Sequence, residues 1–226
     1  MRKNGSRLIS LRQYCLTDLF LFAVILVVFE LILHYALIAY NGSFTFSPLL
    51  PIVLLVMMRW GWPSVFYALG DGLLFCLLNR NVEGFTPYHY GIYIIGNAFV
   101  MLLLIMTKFM GKERIAKKWY FTALFVLAGW LAVTFGRAIA SACFLQGFTG
   151  ALVDGLTHDS FSFAIGLVII LVMRRLDGMF EDQKHFLRRL DDERKEKQQR
   201  DTYGDEPVEI DEESISILNK KDDDLY

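Results

Sequence analysis

Residues 19–40 read LFLFAVILVVFELILHYALIAY, an apolar run broken only by Glu30 and His34. About 20 such residues are what a helix needs to cross a bilayer. The basic opening before it, MRKNGSRLISLRQYCLTD, is followed by too long an apolar run for a signal-peptide core and by no small-residue cleavage site. It reads as the cytoplasmic lead-in to a retained first span.

Further apolar blocks follow, and they dominate residues 17–173, whereas 174–226 are mostly charged. The overall 54% hydrophobic content and net charge of −1 therefore average two different materials and say nothing about partners. The expected fold is an all-α integral membrane protein, with a six-transmembrane-helix bundle over 19–175. SPLLPIVLLVMM (47–58) and SVFYALGDGLLFCLL (64–78) form short second and third spans around the RWGWP break (59–63). The fourth runs from about Tyr93 to Thr107, the fifth from Trp119 to about Leu145, and the sixth is FSFAIGLVIILVM (161–173). Short spans of this kind need tilt or shielding by neighbours. Residues 146–160 read as a loop whose last part can extend the sixth helix.

Lys and Arg orient this bundle. They occupy the N-terminus, the second-to-third turn (Arg59), the fourth-to-fifth connection (Lys108, Lys112, Arg114, Lys117, Lys118) and the segment after the sixth span (Arg174, Arg175). The alternate loops, 41–47, 79–91 and 146–160, contain only Arg80. By the positive-inside rule both termini are cytoplasmic and those three loops face outward. Beyond the bundle, 176–200 predicts a cytoplasmic charged amphipathic helix, with Leu176, Met179, Phe180, Phe186, Leu187 and Leu190 at helical spacing. Residues 201–226 predict an acidic disordered tail.

The fifth span contains LAVTFGRAIASACF (131–144), with Arg137 in its middle. A guanidinium in hydrocarbon costs at least about 2.5–3.5 kcal/mol. On the predicted topology most polar anomalies share the outer half of the bundle: Arg137, Glu30 with His34 one turn further out, Asn97 with Tyr93 one turn above, and Asp154, His158 and Asp159 before the last span. Asp71 lies deeper, flanked by Gly70 and Gly72, and suits a close helix contact. Ala128, Ala132, Gly136 and Ala140 form a small-residue stripe that permits close backbone approach. Arg137 flanks that stripe and is expected to face a polar, outward-opening space. Structural pairing of Arg137 with Glu30 or Asp159 is the competing reading.

Enzyme signatures are absent. No HExxH, GxSxG, paired intramembrane aspartates or phosphate-binding glycine loop occurs. His34, His89, His158 and His185 lack metal-ligand spacing, and Cys15, Cys76 and Cys143 form no CxxC pair. No catalytic role, cofactor, metal or nucleic-acid partner is expected.

Two segments carry a family resemblance: PLLPIVLLVMMRWGWPSVFYALGDGLL (48–74) and NVEGFTPYHYGIYIIGNAF (81–99). The short apolar helix, the R-[WYF]-G hairpin, the G-D-x-L segment and the Gly/Phe/Pro loop before the fourth helix resemble the substrate-binding S component of an energy-coupling factor (ECF) vitamin transporter. The resemblance implies capture of a vitamin or related small nutrient in an outward-facing cavity. Uptake is then driven by a membrane coupling subunit and two ATPase subunits of an ECF module, in the prokaryotic plasma membrane. Met1-Arg2 stands where the nickel and cobalt branch has Met-His, so a metal cargo is not implied. Glu30, His34, Tyr93, Asn97, Arg137 and His158 are the expected substrate-binding residues. The alternative is an MreD-like membrane scaffold of the cell-shape machinery, which shares the layout and needs no ligand.

Overall fold

The computed structural model describes residues 11–40, 47–81, 85–144 and 147–203, and all regular structure among them is helical. The helices are α1 (Leu11–Tyr40), α2 (Leu49–Trp60), α3 (Ser64–Asn79), α4 (Tyr88–Ala98), α5 (Leu102–Met110), α6 (Lys112–Lys117), α7 (Trp119–Cys143), α8 (Phe148–His158), α9 (Ser160–Met173) and α10 (Gln183–Tyr203). A 3-10 turn, Phe99–Met101, joins α4 to α5. The chain divides into two compact units, one through Phe186 and one from Leu187 onward. In the second, α10 continues with an exposed Arg189–Glu193 pair one turn apart.

The first unit is built around its shortest predicted span. Every residue of α2 from Leu49 to Arg59 is buried. Twelve residues rise only about 18 Å, well short of a hydrocarbon core of about 30 Å. Enclosure by α1, α3, α7 and α9 removes the need for α2 to meet lipid along its length. Pro51 sits in the first turn, where the missing N–H breaks no helical bond. Gly61, at φ +80°, ends the helix and turns the chain into α3. Leu54, Val56, Met57 and Met58 form the fully buried core with Phe125 and Val126 of α7, Val100, and Ile170 of α9.

α1 is the opposite case. Phe22, Leu26 and Glu30 form one inward stripe, while Phe20, Val24, Val27, Val28 and Ile32 are exposed. An apolar helix with its greater part uncovered is what lipid contact demands. By length and composition α1, the continuous α4–α5 segment and α7 can each cross a membrane alone. The α8–α9 pair, bent by 47°, makes a fourth candidate, and α2 and α3 are the two shorter apolar helices.

One end of the unit is pinned by the basic residues. Arg59 donates to both carboxylate oxygens of Asp18, Nε at 2.9 Å and Nη2 at 2.8 Å, and to the carbonyl of Gly178 at 2.7 Å. Trp60 Nε1 adds a third bond to Asp18 at 2.6 Å. Lys112 meets Asp182 at 2.7 Å, and Arg174 donates to the carbonyls of Ala116 and Lys117 at the end of α6. The chain between α9 and α10 is turned by Gly178 at φ +74°. The amphipathic helix expected from residue 176 therefore begins at Gln183 and runs to Tyr203. The expected loop before the last span is also largely helical, as α8. Residues 204–226, and with them most of the acidic tail, lie outside the described residues, as do 1–10 and 41–46.

Candidate functional site

The site starts from two glycines. α4 and α7 cross where Gly96 faces Gly136, and neither position has room for a side chain. A Cβ on Gly136 would fall 2.4 Å from the Gly96 carbonyl oxygen, and one on Gly96 would fall 2.7 Å from the Cα of Arg137. Backbones this close are the purpose of small residues in membrane helices. The next residues along, Asn97 and Arg137, are thereby set side by side. A second close approach brings α3 to α4: a Cβ on Gly72 would lie 2.8 Å from the Tyr93 carbonyl oxygen. That contact delivers Asp71 to the same place.

The result is a chain of polar groups drawn from α1, α3, α4, α7 and the α8–α9 break, with Ser47 just ahead of α2. Arg137 Nε donates to Asn97 Oδ1 at 2.9 Å, and Asn97 Nδ2 donates to Asp71 Oδ2 at 3.3 Å. Arg137 Nη1 donates to Asp159 Oδ2 at 2.8 Å, at the break between α8 and α9. The guanidinium carbon lies 4.8 Å from the centre of the Tyr93 ring, a cation–π contact. Asp71 also comes within hydrogen-bonding reach of the Glu30 carboxyl from α1. Glu30 Oε1 accepts from the Ser47 hydroxyl at 2.8 Å, and Ser47 N–H donates to Ser162 Oγ at 3.2 Å. The side chains of Arg137 and Asp159 are 16% and 20% exposed, so their attraction is weakly screened. Arg137 thus faces protein dipoles and one carboxylate, and the competing reading of a pair with Asp159 is geometrically present.

Five of the six predicted residues lie in or beside this network. Glu30, Asn97, Arg137 and Tyr93 are members. His34 sits one turn beyond Glu30 on α1, its ring edge-on to Tyr35 at 5.5 Å. His158 stands apart: its Nδ1 pairs with Asp154 at 2.7 Å on an exposed part of α8, where such pairs contribute little. Beside the network, Phe85 stacks on His89 at 4.8 Å and His89 on Tyr93 at 6.4 Å, while Phe75 lies tilted against Tyr93 at 4.4 Å.

Sequence reasoning left Asp71 outside the site, because a linear depth count cannot see that Gly72 lets α3 lie directly on α4. It also left out Trp130 and Ser47. A cavity of about 30 Å³ is bounded by Ser47, Trp130, Arg137, Asp159 and Ser162 together with Leu50. That is room for about one water. Trp130 Nε1 and Thr134 Oγ1 are buried without a hydrogen-bond partner among the described residues. With Arg137 they occupy positions i, i+4 and i+7 of α7, one helical face. No protein-family model, no curated protein and no solved structure matches this chain.

Proposed function

We propose that this chain is the substrate-capture subunit, the S component, of an ECF-type importer. It takes a vitamin or related small nutrient from outside and hands it to a coupling subunit driven by two ATPases. In this reading the six apolar helical segments form a six-span bundle with both termini cytoplasmic, and the Arg137 network lies in its outer half. The observation that carries it is a row of unused polarity. The Trp130 indole N–H and the Thr134 hydroxyl are buried without a hydrogen-bond partner among the described residues, in line with the Arg137 guanidinium. They lie on one face of α7. A buried donor or acceptor left unpaired costs about 1–3 kcal/mol, and such groups are retained where something else satisfies them.

A substrate carboxylate or carbonyl would take the place of Asp159 on Arg137, while an acceptor on the same molecule meets the Trp130 N–H. Typical ligand pockets occupy about 300–1,000 Å³, so the cavity of about 30 Å³ is the closed form. α8 is the element that opens it. None of its residues is fully buried, and it joins α9 through the 47° break at Asp159. Swinging α8 outward removes Asp159 from Arg137 and uncovers Thr134, against which Gly155 packs. The scaffold alternative draws on one observation, the pairing of Arg137 within the protein. It gives no reason for the unpaired Trp130 and Thr134.

The test is nutritional. A strain whose own copy is deleted, complemented by wild type or by Arg137→Ala, is grown on limiting amounts of single vitamins. The expected result is one vitamin for which the variant strain needs more than tenfold the wild-type supply, at equal protein level. Equal requirements for every vitamin in deleted and complemented strains would refute the proposal.

A further inference from the structure

The surroundings of Asp71 hold a second property of the bundle, independent of the capture reading. Asp71 is 1% exposed and Glu30 4%. The groups facing them are few. Asn97 donates one N–H to Asp71 Oδ2, and Ser47 donates one O–H to Glu30 Oε1. Arg137 spends its Nε on Asn97 and its Nη1 on Asp159, and Tyr93 presents its ring to the guanidinium. Cys76 gives its S–H to the His89 carbonyl at 3.5 Å, and His34 lies a turn away on α1. Asp71 Oδ1 is left buried with no donor among the described residues, although the Glu30 carboxyl is within hydrogen-bonding reach. Two carboxylates cannot bond one another, since both only accept. A carboxylic acid can.

We infer that Glu30 and Asp71 hold one proton between them at neutral pH, so that the centre of the bundle carries a proton-binding site.

A proton on either carboxyl lets the pair share one O–H···O bond, and Asp71 Oδ1 is the oxygen still without a donor among the described residues. Arg137 then faces Asp159 and a single net negative charge on the pair, where two adjacent buried carboxylates could not both ionise. A metal ion is a poorer occupant, because no three His, Cys, Asp or Glu side chains among the described residues converge to hold one. The Ser47 hydroxyl bonds Glu30 directly and also bounds the small cavity beside Arg137 and Asp159, so it stands between the carboxyl pair and that cavity. Release would leave two negative charges beside Asn97 and draw Arg137 inward from Asp159, which ties the proton to the α8–α9 break.

The test is infrared difference spectroscopy on the purified full chain in detergent, at neutral pH and without added sodium. The expected result is the C=O band of an un-ionised carboxylic acid, moved to lower frequency in D2O and exchanging slowly. Glu30→Gln removes it, whereas Asp154→Asn, at an exposed carboxylate, leaves it in place. Glutamine also offers Asp71 an N–H, so Glu30→Gln is expected to fold and to melt at or above wild type. Absence of the acid band from wild type at neutral pH overturns the inference. Persistence of the same band in both Glu30→Gln and Asp71→Asn overturns it equally.

Discussion

Gly136→Ala adds one methyl group, and the crossing of α4 and α7 has no space for it. That methyl would lie 2.4 Å from the Gly96 carbonyl oxygen and 2.7 Å from Phe99 Cβ, whereas non-bonded carbon contacts settle at about 3.5–4.0 Å. The two helices must separate by about 1 Å at that level. Arg137 Nε and Asn97 Oδ1 now stand 2.9 Å apart, and the shift carries them towards 4 Å, roughly beyond the reach of a hydrogen bond. Overpacking costs about 1–3 kcal/mol, and losing a hydrogen bond to a charged group adds about 1.5–3 kcal/mol. The expected destabilisation is thus roughly 2.5–6 kcal/mol, read as a lowered thermal midpoint in detergent. Gly70→Ala is the control: a Cβ there meets nothing within 4 Å, so the midpoint should stay level or rise by an amount worth up to about 1 kcal/mol. If both variants melt with wild type, the close crossing that positions Arg137 is not what holds α4 and α7 together.

Arg59→Met leaves Asp18 nearly buried without its bidentate partner, and chemical unfolding should show a loss of about 3–5 kcal/mol. At Asp182 burial pushes the carboxyl up, but the hydrogen bond and charge of Lys112 outweigh it and hold the group below its ordinary value. The resulting stabilisation is fully present above about pH 4, the unfolded carboxylate range, and fades as pH falls through the lower folded value. With side chains 22% and 25% exposed, it amounts to about 1 kcal/mol or less. Asp182→Asn should flatten that acid-side slope in melting curves measured against pH. Asp159→Asn should leave Arg137 free to take a ligand anion, so it should bind nutrient at least as tightly as wild type while Arg137→Ala binds more than tenfold more weakly.

Much of this arrangement was legible in the residues. The apolar runs located α1, α2, α3, α4–α5, α7 and α9, because hydrocarbon solvation and helical backbone satisfaction act on local sequence. Arg137, Asn97 and Glu30 announced themselves as polar groups where apolar ones belong. What stayed hidden depends on contact between distant segments. Asp71 looked too deep to join them until Gly72 was seen against the Tyr93 backbone. Helix α8 was hidden by Gly147, Gly150 and Gly155, which weaken the helical pattern. Local composition could not show that Gly155 packs against Thr134. Trp130 read as one apolar residue among many, and only its unpaired Nε1 beside the cavity marks it out.

Native mass spectrometry of the gently solubilised protein, taken from its own cells, tests the central claim most directly. The capture account predicts one small anionic or carbonyl-bearing molecule per wild-type chain, absent from Arg137→Ala, with coupling and ATPase subunits in the larger assemblies. Wild-type chain at its bare mass, accompanied by cell-wall or cytoskeletal proteins and no ATPase, would contradict it.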